Sequence, residues 1–120
     1  MGILRGTADT ILVSVTAKIT DVAVPGQVHN LKFNALFKRR DYDDAKKIIA
    51  SVNDFDSDVS EAQVVRDDLI EWRGLDGDGG PVEFTPENLA VCLQHPEYRM
   101  ALFKAWGDAQ LRRVLTSAKN

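Results

Sequence analysis

Two acidic stretches carry residue types that could hold a cation. Asp76-Gly77-Asp78-Gly79-Gly80 is followed by Glu87 eleven positions after Asp76, and Asp54, Asp56 and Asp58 alternate along a second run. A calcium loop takes oxygen ligands from alternate positions, a glycine at the sixth and a carboxylate at the twelfth. In the first stretch Gly80 holds the fifth place and Pro81 the sixth; in the second Val59 and Val65 hold the sixth and twelfth. Both stretches read more plainly as turns, where Asp and Gly serve the backbone. Cys92 and His95 stand three apart, as ligands on one helical turn do. A zinc site takes four N or S ligands, and His29 is the one other imidazole in the sequence. The pair could also be a thiol and its base, but a cysteine among Leu89, Val91 and Leu93 reads as a small core residue. His29, beside a turn, reads as a solvated loop residue. Asp43/Asp44 and Asp67/Asp68 are adjacent on expected helices, so each pair diverges rather than sharing a proton. There is no Gly-x-Ser-x-Gly elbow, no phosphate loop and no dinucleotide fingerprint. Lys38-Arg39-Arg40 could grip phosphate, but reads more simply as a charged end that keeps an edge strand from pairing wrongly. No catalytic residue, no metal and no cofactor is expected.

The elements that position these residues change character along the chain. From Thr10 the period is two: Ile11, Val13, Val15, Ala17 and Ile19 alternate with Thr10, Ser14, Thr16, Lys18 and Thr20. That pattern predicts a half-buried strand. Pro25-Gly26 marks a turn, and Leu31, Phe33, Ala35 and Phe37 alternate with Asn30, Lys32, Asn34 and Lys38 as a second strand. The two make an antiparallel hairpin with one apolar face, over about 8–38, and Val82-Glu83-Phe84 offers a third strand. A hairpin alone is marginal in water, so helices or another copy must cover that face, and Phe33 and Phe37 are the candidates for self-association.

Helices follow, over about 41–118. Asp41 can cap one with Tyr42, Ala45, Ile49 and Val52 on a face. After a linker at Asn53–Asp58, Ser60 with Gln63 is a capping box for a second, striped by Ala62, Val65, Leu69 and Trp72. Gly74 to Pro81 is a turn region, incompatible with either regular element. Thr85-Pro86-Glu87 starts a third helix, ending near Gln94 because Pro96 disfavours helical geometry at His95. Pro96 opens the last, running toward Ser117, with Gly107 inside it. Its apolar residues do not fit one stripe, so it needs more than one packing partner. Tyr98, Met100, Phe103, Trp106 and Arg113 are of the types that interfaces favour and are the candidate partner-binding residues. The fold class is thus α+β: an N-terminal hairpin or small sheet, then about four helices, as one domain over 1–120.

Composition bounds the classes of function. The 120 residues are 44% hydrophobic and 28% charged, ordinary for a globular domain. With one cysteine no internal disulfide is possible, and a reducing, cytoplasmic setting fits. Lys plus Arg is 15 and Asp plus Glu is 18, for a net charge of −3, which is not the footprint of a nucleic-acid binder. No apolar run reaches the length of a membrane span or of a secretory signal. Residues 1–40 carry six basic and two acidic side chains, 41–80 four and twelve, and 81–120 five and four. An acidic middle suits an interaction protein with electrostatic steering, or simply a solvated helical surface.

Three stretches give the chain a resemblance. They are Phe33-Asn34-Ala35-Leu36-Phe37-Lys38-Arg39-Arg40 with the strand before it and the Asp-rich helix after it, Leu69 to Leu89 with its Trp72-ended helix, Asp/Gly turn and Pro86-started helix, and Pro96 to Trp106. Together they resemble the tail assembly chaperones of long-tailed bacteriophages. The resemblance implies a non-enzymatic protein of the infected host's cytoplasm, absent from the mature virion. It would bind the long helical tape measure protein, keep its apolar surfaces soluble and help recruit tail tube protein, and it would form a homo-oligomer. Members of that family are often made in two lengths by a ribosomal frameshift, which Lys119-Asn120 would fit. Two other functions remain compatible with the residues: a structural tail-completion subunit, and a regulatory module with a calcium-responsive Asp/Gly loop.

Overall fold

The computed structural model describes residues 9–20 and 23–111. The expected hairpin forms from β1 (Thr10–Thr20) and β2 (Val28–Lys38), antiparallel and unbroken over eleven pairs from Thr10↔Lys38 to Thr20↔Val28. The turn is the one that Pro25-Gly26 predicts: the Gln27 N–H donates to the Val24 carbonyl at 3.1 Å and Gly26 takes φ +86°. Proline presets the first central residue and glycine supplies the positive φ of the second, as a type II turn requires. Burial follows the alternation, with Val13, Val15, Ala17, Phe33, Ala35 and Phe37 inside. His29 lies within β2 opposite Ile19, not in a loop.

Helix α1 (Tyr42–Val52) starts at Asp41, whose side chain makes no cap bond, and it buries Ala45. Helix α2 (Glu61–Asp68) starts at Ser60, whose hydroxyl accepts from the Gln63 N–H at 3.1 Å. The reciprocal half of the box is not made, because the Gln63 amide donates to Asp67 instead. Here the structure corrects the sequence reading. The helix expected to run through Leu69 to Trp72 stops at Asp68, and Leu69–Arg73 is a strand, β3. It pairs antiparallel with β2, through Asn34↔Arg73, Ala35↔Trp72 and Leu36↔Glu71, with a register shift between Leu36 and Phe37. Leu69 and Trp72 are buried, as the helical reading also expected of its stripe; the edge of β2 decides for the strand, since it offers backbone bonds that a third helical turn could not.

The third strand is therefore Leu69–Arg73 rather than Val82–Phe84, and the sheet order is β1-β2-β3. The Gly74–Pro81 region also holds a minimal ribbon, β4 (Asp76–Gly77) against β5 (Gly80–Pro81), where a plain turn was expected. Helix α3 (Pro86–Leu93) is capped as its sequence predicts, with Thr85 Oγ1 accepting from the Asn88 N–H at 3.0 Å. Helix α4 (Pro96–Leu111) lies against the sheet, mainly on β1, and α1, α2 and α3 pack on α4. One apolar cluster runs from β1 through β3 to α4. Arg113 and the expected continuation of the last helix toward Ser117 lie outside the described residues, as does residue 8 at the start of the hairpin.

Candidate functional site

The position of α4 is set by a buried polar cluster. Asp68, at the end of α2, is fully buried. Its carboxylate accepts from Arg40 twice, Nε at 2.6 Å and Nη2 at 2.7 Å, and from Trp106 Nε1 at 2.7 Å. One turn further along α4, Gln110 accepts from the Arg40 N–H at 2.7 Å and donates to the Lys38 carbonyl at 2.6 Å. The end of β2, the end of α2 and the C-terminal half of α4 are thereby tied at one point. A carboxylate without water needs every partner it has, and here a bidentate guanidinium and an indole N–H supply them. The hydrogen bond and charge of Asp68 push the Arg40 guanidinium further up, against the opposing effect of its own burial.

This cluster corrects the reading of Lys38-Arg39-Arg40, while Asp67 and Asp68 diverge as expected. Arg40 belongs to a structural ion pair, and Lys38-Arg39-Arg40 ends the central strand of the sheet, not an edge strand. Asp68 turns inward while Asp67 stays exposed. The signal was present: Val64, Val65, Asp68 and Leu69 share one side of a helix, so an acid interrupts an apolar face.

A groove opens on the other flank of α4, where that helix passes the edge of β1 that no strand covers among the described residues. It encloses about 850 Å³ and is lined by Ser14, Thr16 and Lys18 of the strand and by Met100, Ala101 and Phe103 of the helix, among others. The Arg39 N–H donates to the Asp9 carbonyl at 2.8 Å, continuing the β1–β2 ladder. In an antiparallel ladder bonded residues alternate with non-bonded ones, so odd residues of β1 turn their N–H and C=O toward β2. Leu12, Ser14, Thr16 and Lys18 turn theirs away from β2, the last three along the groove.

The residues expected to bind partners divide between two environments. Met100 is 61% exposed and stands in the groove. Phe103 is half-buried there, stacked on Trp106 at 5.5 Å between centroids. Trp106 is fully buried, so as a partner-binding residue it is corrected to a core residue that anchors α4. Tyr98 is half-buried, lies 6.5 Å from the Phe33 ring, and burial holds its phenol above the usual value. Phe33 and Phe37, the candidates for self-association, are both sealed under the helices at 4% and 0% exposure. Helices, not another copy, cover the hairpin's apolar face, because α4 lies along it. Arg113 lies outside the described residues.

The polar candidates settle into structure. Asp54 turns its own loop, with its Oδ1 accepting from the Asp56 N–H at 3.0 Å and its carbonyl from the Ser57 N–H at 3.1 Å. Asp76 sits in the small ribbon, which the Val82 N–H closes onto the Leu75 carbonyl at 2.8 Å. Among the described residues no three His, Cys, Asp or Glu converge as a metal site. Cys92 is buried, and desolvation pushes its thiol up to about 11, the opposite of an activated nucleophile. Among the described residues no helix is long and apolar enough to cross a membrane.

In comparisons with known proteins, no family model matches the chain, and no curated protein and no solved structure is significantly similar to it.

Proposed function

We propose that this chain is a non-enzymatic assembly chaperone for the tail of a long-tailed bacteriophage, which holds a long helical tape measure protein soluble and helps bring tail tube protein to it. The observation that carries the reading is the groove between β1 and α4, a largely apolar trough along one wall of which runs a row of backbone groups that pair with no strand among the described residues. Such a trough takes an apolar segment of another chain through side-chain burial and strand-edge bonds, with no need for a reactive group. The resemblance carried by residues 33–40, 69–89 and 96–106 supports the same reading. Work in the host cytoplasm, and absence from the finished particle, belong to it. Between this reading and a structural subunit that stays in the tail, an exposed Met100 beside a half-buried Phe103 favours a transient holder, because soft side chains repack around varied apolar partners. A calcium-responsive loop is not favoured, since Asp54 and Asp76 are engaged in turn and ribbon.

The test is co-expression with a long helical tape measure protein. The wild-type chain is expected to raise the soluble fraction of that protein several-fold. Met100→Asp and Ala101→Asp, both on the groove side of α4, are expected to remove the effect while the chain itself stays folded by circular dichroism. No rescue by the wild type, or undiminished rescue by both variants, contradicts the proposal.

A further inference from the structure

The two edges of the sheet are built differently. β3 is five residues long, alternates Glu71 and Arg73 outward, and carries a register shift against its neighbour. Short, charged and irregular edges resist unplanned pairing. β1 has eleven residues, no proline, no glycine and no register shift, and Lys18 is its single charge. Among the described residues no strand pairs with its outer edge.

The flank of α4 beside that edge is self-complementary. Glu97, Met100, Ala101, Lys104 and Asp108 line the groove along the helix. Two anchors fix how the helix lies on the strand. Gln110 reaches the carbonyl of Lys38, which pairs with Thr10, and Tyr98 packs on Phe33, which pairs with Val15. Helix and strand therefore advance over 110 − 98 = 12 and 15 − 10 = 5 residues between the same two levels. At ordinary rises both lengths are about 17–18 Å, so the two run side by side in opposite directions. Met100–Ala101 falls level with Ser14.

We propose that in the free protein the groove is filled by a second copy of this chain, with the two β1 strands paired antiparallel about a dyad at Ser14. This concerns the groove of the chaperone reading and rests on that groove being a docking surface. Antiparallel edge pairing places the dyad perpendicular to the sheet, so both helical layers lie on the same side and the two α4 flanks meet, also antiparallel. About an axis through Met100–Ala101, the apolar pair faces its own image, and Glu97 of each copy faces Lys104 of the other on both sides. A six-stranded sheet results, and the even backbone groups of β1 gain partners. The Lys104–Asp108 contact at 3.1 Å is exposed and within one helix, so it yields to or shares the new pair.

The test is sedimentation equilibrium of the purified full chain over a wide concentration range. Wild type is expected to dimerise with micromolar affinity. Thr16→Pro removes an outward N–H of an edge strand, where proline is tolerated, and is expected to weaken the dimer about tenfold or more. Lys104→Glu alone and Glu97→Lys alone are each expected to weaken it several-fold, and the double exchange to restore it, which no fold defect imitates. A wild-type chain that stays monomeric at ~100 µM overturns the inference. So does a dimer indifferent to Thr16→Pro and Lys104→Glu, or a double exchange no tighter than the single changes. Solubilisation of the helical client is scored separately: a monomer that still rescues the client sinks the second copy and leaves the chaperone reading, and a dimer without rescue does the reverse.

Discussion

At the scale of single residues the structure turns on Asp68, and its two partners are not equivalent. Arg40 keeps its side chain 34% exposed while Asp68 has none. Removing the guanidinium leaves an ion in the core with only an indole N–H, whereas neutralising the acid lets Arg40 turn to water. Arg40→Met is therefore expected to lower the unfolding free energy by about 3–5 kcal/mol, and Asp68→Asn, which keeps an acceptor for Trp106, by distinctly less. Urea denaturation of the two variants checks the order; an equal or reversed order contradicts it. Cys92 makes a pH prediction. Burial raises its value in the folded chain, so the neutral thiol contributes stability that is complete below the unfolded value near 9 and is lost as pH rises toward about 11. Thiol labelling at pH 8 is expected to be many-fold slower than in the urea-unfolded chain, and the Cys92→Ala variant is expected to lose less stability than wild type between those pH values. None of this cluster chemistry was read from the sequence. Arg40 and Asp68 are 28 positions apart, and pairing across that distance depends on which way two elements turn.

At the scale of elements, local signals were legible where the backbone chooses its own conformation. The alternation of β1 and β2, the Pro25-Gly26 turn, the caps at Ser60 and Thr85 and the break before Pro96 all appear as their residues predict. The failure at Leu69–Arg73 has a physical cause: Val65, Leu69 and Trp72 satisfy a helical stripe, while the deciding partner, β2, lies far back in the chain. A tertiary edge overrode a local period. Gly107 gives the clearest test at this scale. A Cβ there meets nothing within 4 Å, and the residue sits inside α4, so Gly107→Ala is expected to raise stability by about 0.5–1 kcal/mol in thermal unfolding. Gly26→Ala is expected to lower it by a similar amount, because φ +86° is unfavourable for any side chain. The same sign for both changes contradicts the assignment of helix and turn.

At the scale of the whole molecule, half of the large apolar residues offered by the sequence as contact points prove to be core. Phe33, Phe37 and Trp106 hold the sheet and α4 together, and among the described candidates what is left for a partner is a flank, Met100 and its neighbours beside the outer strand. The general expectation of an interaction surface on the last helix could be read from its residues; which side of that helix faces outward could not, because tertiary anchors such as Asp68 on Trp106, Gln110 on Lys38 and Phe33 on Tyr98 fix its rotation. The central claim is that the edge of β1 is a docking edge. Residue-resolved amide hydrogen exchange across β1 tests it most directly. Odd amides, bonded to β2, are expected to stay protected throughout. The amides of Leu12, Ser14, Thr16 and Lys18 are expected to exchange freely at high dilution and to become protected, together, as the chain is concentrated or the helical client is added. Even amides that remain unprotected at the highest concentration and with saturating client would contradict the account.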